Sequence, residues 1–264
     1  MPELPEVEAV VRRLRDRIVG KRIQHAKVFR CARAELAEVL AAKRILAVER
    51  RAKHILIRLS GGLTLHTHLR MTGNLFAIPD ARLHTERARV VIALQGGAGI
   101  VFEDSRALGR MAVRETKELD AELAASLGPE PLSGEFTAES FAAMARDSRQ
   151  PAKLFLMDQR KVAGLGNIYV AEALFRARID PRKAMGRLSL ARLAALHKEI
   201  VTVLQDAVES AWIAYGVPGR FSEGESFDCQ VYGREGQPCT RCGKEIRRLP
   251  QGGRSTYFCA GCQR

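Results

Sequence analysis

Three groups of residues in this chain have the types and spacing to do chemistry. The first is the run Met1-Pro2-Glu3-Leu4-Pro5-Glu6. A small second residue permits removal of Met1, which leaves Pro2 with a free secondary amine. An α-amino group titrates near ~8, below the ~10.4 of lysine, so more of it is unprotonated at neutral pH. Such amines attack carbonyl carbons and form Schiff bases. An iminium built on proline has no N–H to lose, so it stays cationic and remains an electron sink. Glu3 places beside it a carboxyl that can move a proton. The same residues also describe a plain chain start in which Pro5 opens a helix.

The second group is Cys239-x2-Cys242 and Cys259-x2-Cys262, with residues 243–258 between the pairs. This is the spacing of a four-thiolate zinc site. Four thiolates leave no open coordination position, so one structural Zn2+ is expected, stiffening a tail too short to build its own core. Cys31 and Cys229 are left over and read as small apolar side chains. Inside the tail, Gln251-Gly252-Gly253-Arg254 projects an arginine from a tight turn. The third group is Gly164-Leu165-Gly166-Asn167-Ile168-Tyr169. Its glycines permit close backbone approach, and Asn167 is placed to cap a helix whose amides can take a phosphate. Arg149, Lys153, Arg160 and Lys161 add positive charge nearby. An ordinary helix–turn–helix connection carries the same signature.

The elements that must position these groups follow from periodicity. Val7, Val10, Val11, Leu14 and Ile18 recur at helical spacing, and Gly20 stops the helix. Short apolar or alternating runs at 45–51, 53–59, 63–69, 75–78, 89–94 and 99–103 read as strands of a β-sandwich. Gly128-Pro129-Glu130-Pro131-Leu132-Ser133-Gly134 reads as a linker, and helices are expected at 138–147, 152–158 and 168–177 and after Ser189. Residues 216–228 read as a Gly-rich loop. The expected architecture is α+β and multidomain. An N-terminal helix plus β-sandwich fills 1–126, a linker 127–134, a helical domain 135–226 and a four-cysteine zinc-finger β-hairpin 227–264. A formal net charge of +13 on 264 residues points to a polyanionic partner. No apolar run approaches the ~20 residues of a membrane span, so no membrane association is expected.

In their order along the chain these blocks resemble the formamidopyrimidine-DNA glycosylase branch of the Fpg/Nei superfamily. The resemblance is carried by Pro2-Glu3-Leu4-Pro5-Glu6-Val7-Glu8, Arg50-Arg51-Ala52-Lys53 and His68-Leu69-Arg70-Met71-Thr72-Gly73. It continues through Leu127-Gly128-Pro129-Glu130-Pro131-Leu132, residues 162–169, Val231-Tyr232-Gly233-Arg234 and the four cysteines. It implies that the helical domain is a helix-two-turn-helix. It also implies a base-excision-repair glycosylase and abasic-site lyase that acts on oxidised purines in damaged double-stranded DNA and then cuts by β,δ-elimination. Such an enzyme is expected to be a monomer in the bacterial cytoplasm, held to the nucleoid through DNA.

Carried over by that resemblance, Pro2 attacks C1′, Glu3 protonates the sugar ring oxygen, and Lys53, at the start of a strand, is acid/base and phosphate contact. Arg254, the fourth catalytic residue, grips the flanking phosphates and assists the second elimination. Met71 and Leu108 act as wedges in the gap left by the extruded base, and Arg106 reads the orphaned partner. Arg87, Arg149, Lys153, Asn167 and Tyr169 complete the expected DNA-binding set. The chain departs from the family at Leu108, where an aromatic is usual, at Ala107, where a basic residue is usual, at Arg87, where the family often has a histidine, and across 209–228. These departures bear on lesion and opposite-base preference. A Nei-like preference for oxidised pyrimidines and a non-catalytic damage-binding protein remain open on the residues alone.

Overall fold

The first helix, α1 (Leu4–Ile18), begins where Pro5 and Glu6 suit a first turn, and the Glu3 backbone N–H donates to the Glu6 carboxylate at 2.7 Å. Val7, Val10, Val11, Leu14 and Ile18 are all buried, as their spacing requires. The computed structural model describes residues 2–29, 35–216 and 227–264. Cys31 and most of the loop read at 216–228 lie outside the described residues.

Two four-stranded sheets follow the helix, and every strand pair in them is antiparallel. One has the order β1 (Ile23–Val28), β6 (Ala88–Leu94), β7 (Gly99–Asp104), β5 (Gly73–Ile78). The other has the order β2 (Ile45–Arg51), β3 (His54–Leu59), β4 (Leu63–His68), β8 (Arg110–Glu115). Ile55, Ile57 and Leu65 of the second sheet share one core with Leu75, Val90, Ile92, Ile100 and Phe102 of the first and with the apolar stripe of α1. The expected sandwich is therefore present. The sequence reading passed over β1 and β8 and the short helices α2 (Glu35–Leu40) and α3 (Thr116–Ser126). Both strands are sheet edges, and neither shows clean alternation: Ile23 alone is buried in β1, and β8 is at most half-buried along its length.

Contacts divide the chain into two compact units. The first holds the helix and both sheets, together with the end of a long helix from Ser210, whose Ala211 and Tyr215 join the same core. Arg13 stacks its guanidinium 4.1 Å from the Trp212 ring and donates to the Trp212 carbonyl. The second unit holds α4 (Ala138–Ala145), α5 (Ala152–Met157), α6 (Asn167–Arg176), most of α7 (Leu190–Ala214), and the hairpin of β9 (Arg247–Gln251) and β10 (Arg254–Phe258). Thr137 caps α4 by accepting from the Ser140 N–H at 3.1 Å. Among the described residues no helix is long and apolar enough to cross a membrane.

Within the first unit α1 packs on β2, β3 and β5. Glu8 on this helix accepts from Arg12 at 2.9 Å and from Arg50 of β2 at 2.7 Å. Burial alone would raise the Glu8 pKa, but the two arginines outweigh it and hold the carboxyl below its ordinary value. A group with a lowered native pKa stabilises fully above its unfolded value, and that contribution is lost as pH falls through the native value. Glu8→Gln is therefore expected to lower stability by about 1–2 kcal/mol at neutral pH. In denaturant titrations the gap to the unsubstituted chain should hold from neutral pH down to about 5 and shrink below about 4.

Candidate active site

Pro2, Glu3 and Lys53 all belong to the first unit, and all three are buried. Glu3 is 2% exposed and Lys53 7%. Lys53 does not begin a strand, as the sequence reading had it. It sits in the two-residue turn between β2 and β3, which closes on the pair Arg51 and His54. A two-residue hairpin needs left-handed backbone to follow the strand twist, and here Ala52 supplies it with φ 52°. That conformation costs a residue with a Cβ about 1–2 kcal/mol, so the turn must be held by its surroundings. Arg50 holds it. Its Nη1 donates to the Ala52 carbonyl at 3.1 Å while its Nε donates to Glu8 at 2.7 Å. One guanidinium thus ties the helix that follows Pro2 and Glu3 to the turn that carries Lys53. Arg50 stood inside a recognised motif, yet nothing in the sequence assigned it this task.

Three histidines, also without an assigned role, stand on one face of β3 and β4. His54 Nδ1 and His66 Nε2 are hydrogen-bonded at 2.7 Å, and the His54 ring centre lies 4.8 Å from that of His68. The pattern 54, 66, 68 across a paired hairpin was the available signal. Burial, with the positive charge of neighbours, lowers His54 to about 4 and His68 to about 3. Both are neutral at pH 7. His68 Nδ1 accepts from the Arg70 N–H at 3.0 Å, so the neutral ring carries its proton on Nε2. With Arg70, Arg110, Arg114 and Glu122 these rings line a cavity of about 640 Å3. Met71 lies half-buried in the next loop, while Arg87, Arg106 and Leu108 are exposed.

In the second unit Arg254 opens β10 after the turn Gly252-Gly253 and is exposed, as expected from the sequence. Gly252 has φ 59°, a backbone that favours glycine, and a Cβ there would lie 2.5 Å from Leu154 Cδ2 and displace that methyl group. The neighbouring Ser255 carbonyl accepts from Lys153 Nζ at 2.8 Å and from Asn167 Nδ2 at 3.0 Å. Lys153 also donates to Thr256 Oγ1 at 2.7 Å. Asn167 therefore does not cap α6. Gly166 is the N-cap residue, and the asparagine amide reaches the hairpin instead. Lys153 is 1% exposed and lowered to about 8 by burial and by the charge of Arg254. Tyr169 is likewise 1% exposed, its ring packed edge-on to Phe227. The structure thus places Lys153 and Tyr169 inside the unit, not on its surface, whereas Arg149 is exposed.

Two further side chains brace this region. Gln159 accepts from the Gly164 N–H and donates to the Leu165 carbonyl. Buried Glu172 accepts from the N–H groups of Gln230, Val231 and Tyr232. The four cysteine sulfurs 239, 242, 259 and 262 lie within 4.8 Å of one another, with Sγ–Sγ separations of 3.8 Å and 3.5 Å in the pairs 239/262 and 242/259.

The model of the formamidopyrimidine-DNA glycosylase N-terminal domain matches residues 1–111, and that of the H2TH domain of the same enzymes matches residues 127–215. A zinc finger found in FPG and IleRS matches residues 236–264. The formamidopyrimidine-DNA glycosylase of Gluconobacter oxydans is 41% identical over the full length of both chains. The chain belongs to the formamidopyrimidine-DNA glycosylase family. Solved members superpose along almost all of it. The Lactococcus lactis enzyme bound to DNA with an AP site gives a TM-score of 0.86 at 31% identity, covering 99% of each chain. MutM from Thermus thermophilus gives 0.84 at 37% identity, covering 99% of this chain and 98% of that one.

As a formamidopyrimidine-DNA glycosylase family member the chain is a DNA glycosylase of base excision repair, and its last 29 residues, 236–264, form a zinc finger. The sulfur cluster fits that metal. A tetrahedral Zn2+ with bonds of about 2.3 Å sets sulfurs about 3.8 Å apart, and four thiolates fill its coordination. Cys239, Cys242, Cys259 and Cys262 would hold the ion, which supplies cohesion to the hairpin and no open site for chemistry. Incubation with a strong chelator is expected to release one zinc per chain and to make these four thiols reactive together, as read by metal and thiol titration. Release without a rise in thiol reactivity would show that the cysteines are not the ligands.

Proposed function

We propose that this glycosylase removes oxidised purines, 8-oxoguanine and formamidopyrimidines, from duplex DNA through a Schiff base at Pro2 and then cuts the strand as an abasic-site lyase. The observation that carries the reading is the Glu8–Arg50–Ala52 tie, which fixes the start of α1 against the Lys53 turn. Pro2, once it is the amino-terminal residue, attacks C1′, and the bond to the damaged base breaks. Glu3 delivers a proton to the ring oxygen as the sugar opens, leaving a cationic iminium. Lys53 moves protons during elimination and contacts the phosphate. β-Elimination expels the 3′ phosphate and δ-elimination the 5′ phosphate.

Arg254 grips phosphates from the rigid hairpin, with Arg87 and Arg149 as further backbone contacts. Asn167 and Lys153 hold the Ser255 carbonyl next to Arg254 and so set its direction, and Tyr169 supports them from the core. Met71 and Leu108 enter the gap left by the extruded base, and Arg106 faces the orphaned partner. The net charge of +13 and the relatives crystallised with abasic-site and N7-benzyl-Fapy-dG DNA support this reading. A damage-binding protein without catalysis would have no use for a buried Glu3 and Lys53.

Borohydride should trap a covalent complex on a duplex with 8-oxoguanine opposite cytosine, and intact mass should show Met1 absent. A chain that traps neither this duplex nor abasic DNA refutes the proposal, and a panel showing preference for oxidised pyrimidines would move it to the other branch of the superfamily. Pro2→Gly should lower the lyase rate at least about tenfold, because its imine can lose a proton and the fixed cation is gone. Affinity should fall linearly on a log–log plot against salt, with a slope near −0.9 per phosphate contacted.

A further inference from the structure

Met71 stands on one loop, 69–72 after β4, and Arg106 and Leu108 on another, 105–109 after β7. Each loop contains a non-glycine residue in the left-handed region, Arg70 at φ 56° and Ala107 at φ 55°. Such conformations are unfavourable with a Cβ and persist where the surroundings over-determine them. The surroundings here centre on Asp104, the last residue of β7, which is 1% exposed and has no part in the chemistry proposed above.

The Asp104 Oδ1 accepts from Thr72 Oγ1 at 2.5 Å and from the Arg106 N–H at 3.1 Å. Its Oδ2 accepts from the Gly109 N–H at 2.6 Å, and its carbonyl accepts from Arg89 Nε at 2.7 Å. Its backbone pairs with Gly73, the residue after Thr72. A single carboxylate therefore holds the end of the first loop and both ends of the second. The fit is close: a Cβ on Gly109 would lie 2.7 Å from Phe102 Cζ and 3.1 Å from Asp104 Oδ2. Burial would favour the protonated form of Asp104, but the donors from Thr72, Gly109 and Arg106 and the charge of Arg89 outweigh it, and its pKa is lowered. The group is a carboxylate across the neutral range.

We propose that Asp104 is a positioning residue that couples the two loops, so that Met71, Leu108 and Arg106 enter the duplex as one preformed unit. This rests on the proposed gap-filling role of those three side chains. The coupling makes wedge insertion and reading of the opposite base a single event. An amide at 104 cannot replace the carboxylate, because its NH2 would face either the Gly109 N–H or the Thr72 and Arg106 donors.

The test uses the full chain and three substrates: 8-oxoguanine opposite cytosine, 8-oxoguanine opposite adenine, and single-stranded abasic DNA, where there is no stack to wedge. Two ratios are measured in single turnover: cytosine over adenine, and duplex over single strand. Asp104→Asn is expected to lower both on the order of tenfold, the worth of one charged hydrogen bond, with cleavage of the single strand within about twofold of the original. Thr72→Val, which removes the bond between the loops, should shift both ratios the same way, and Thr72→Ser should restore them. Original ratios in Asp104→Asn, or equal losses on duplex and single strand, would overturn the coupling. If Asp104→Asn melts below the assay temperature, the Thr72 pair decides, and identical ratios in its two variants would overturn it. Arg106→Ala separates the two levels. Unchanged ratios there would sink the gap-filling role and the coupling together, whereas reduced ratios there with original ratios in Asp104→Asn would sink the coupling alone.

Discussion

The hydrogen bonds of one guanidinium tie the first helix to the turn that carries Lys53, and so hold together the groups proposed to react. Arg50 donates through Nε to Glu8 and through Nη1 to the Ala52 carbonyl. The two acceptors lie on different elements, α1 and the β2–β3 turn, so the arginine fixes an angle as well as a distance. A lysine offers a single point charge and could not serve both with the same rigidity. The arrangement also explains how Ala52 keeps a left-handed backbone. The hydrogen bond to its carbonyl and the burial of its methyl group offset a cost that would otherwise favour another turn. Lys53 is then presented from a strained turn, with its ammonium drawn out of bulk water.

The same logic recurs at three other buried charges. Asp104, Lys153 and Glu172 are each 1% exposed or less. Asp104 and Glu172 each accept from three donors, and Lys153 donates to two acceptors. A buried charge with its partners in place admits one geometry, since any other leaves it unpaired in a poor dielectric. Asp104 and Lys153 sit next to segments that carry candidate binding residues, the 105–109 loop and the Arg254 turn, and Glu172 fixes the 230–232 segment that leads to the cysteines. The exposed cations, Arg106, Arg149 and Arg254, are left available for a polyanion. Burial thus sorts the charges into those that shape the surface and those that present it.

How legible each part was in the sequence follows from how local its cause is. The zinc ligands were readable because each CxxC pair is a chemical unit that needs only its own turn. The helix α1 was readable from five apolar residues on one face. Lys153 was not, because its burial is set by Ser255 and Thr256, about a hundred positions away. Asn167 carried only a local cap signal, and its amide instead makes a tertiary hydrogen bond to the Ser255 carbonyl. The edge strands β1 and β8 escaped because a strand with one exposed side and one neighbour needs little apolar patterning. The histidine trio escaped because residues 54 and 66 become neighbours only through the pairing of β3 with β4.

Two of the departures from the family, Ala107 and Leu108, lie on a loop whose backbone is already constrained, and this affects what they can do. Leu108 is 44% exposed and follows Ala107, whose φ is 55°. An exposed leucine on a mobile loop would give up much of its burial energy to ordering when it entered a base stack. Here the loop backbone is held by Asp104 at Arg106 and Gly109, so less ordering is left to be lost on binding. On the proposed reading, the roughly 1.5–3 kcal/mol available from burying a leucine side chain is then delivered nearly whole. A smaller wedge on a rigid loop can thus approach the effect of a larger one on a looser loop. Ala107 carries no charge of its own, so on the proposed reading selectivity for the opposite base would fall to Arg106, the one cation between Asp104 and Gly109. On that reading, specificity is concentrated in one guanidinium and in the carboxylate proposed to aim it.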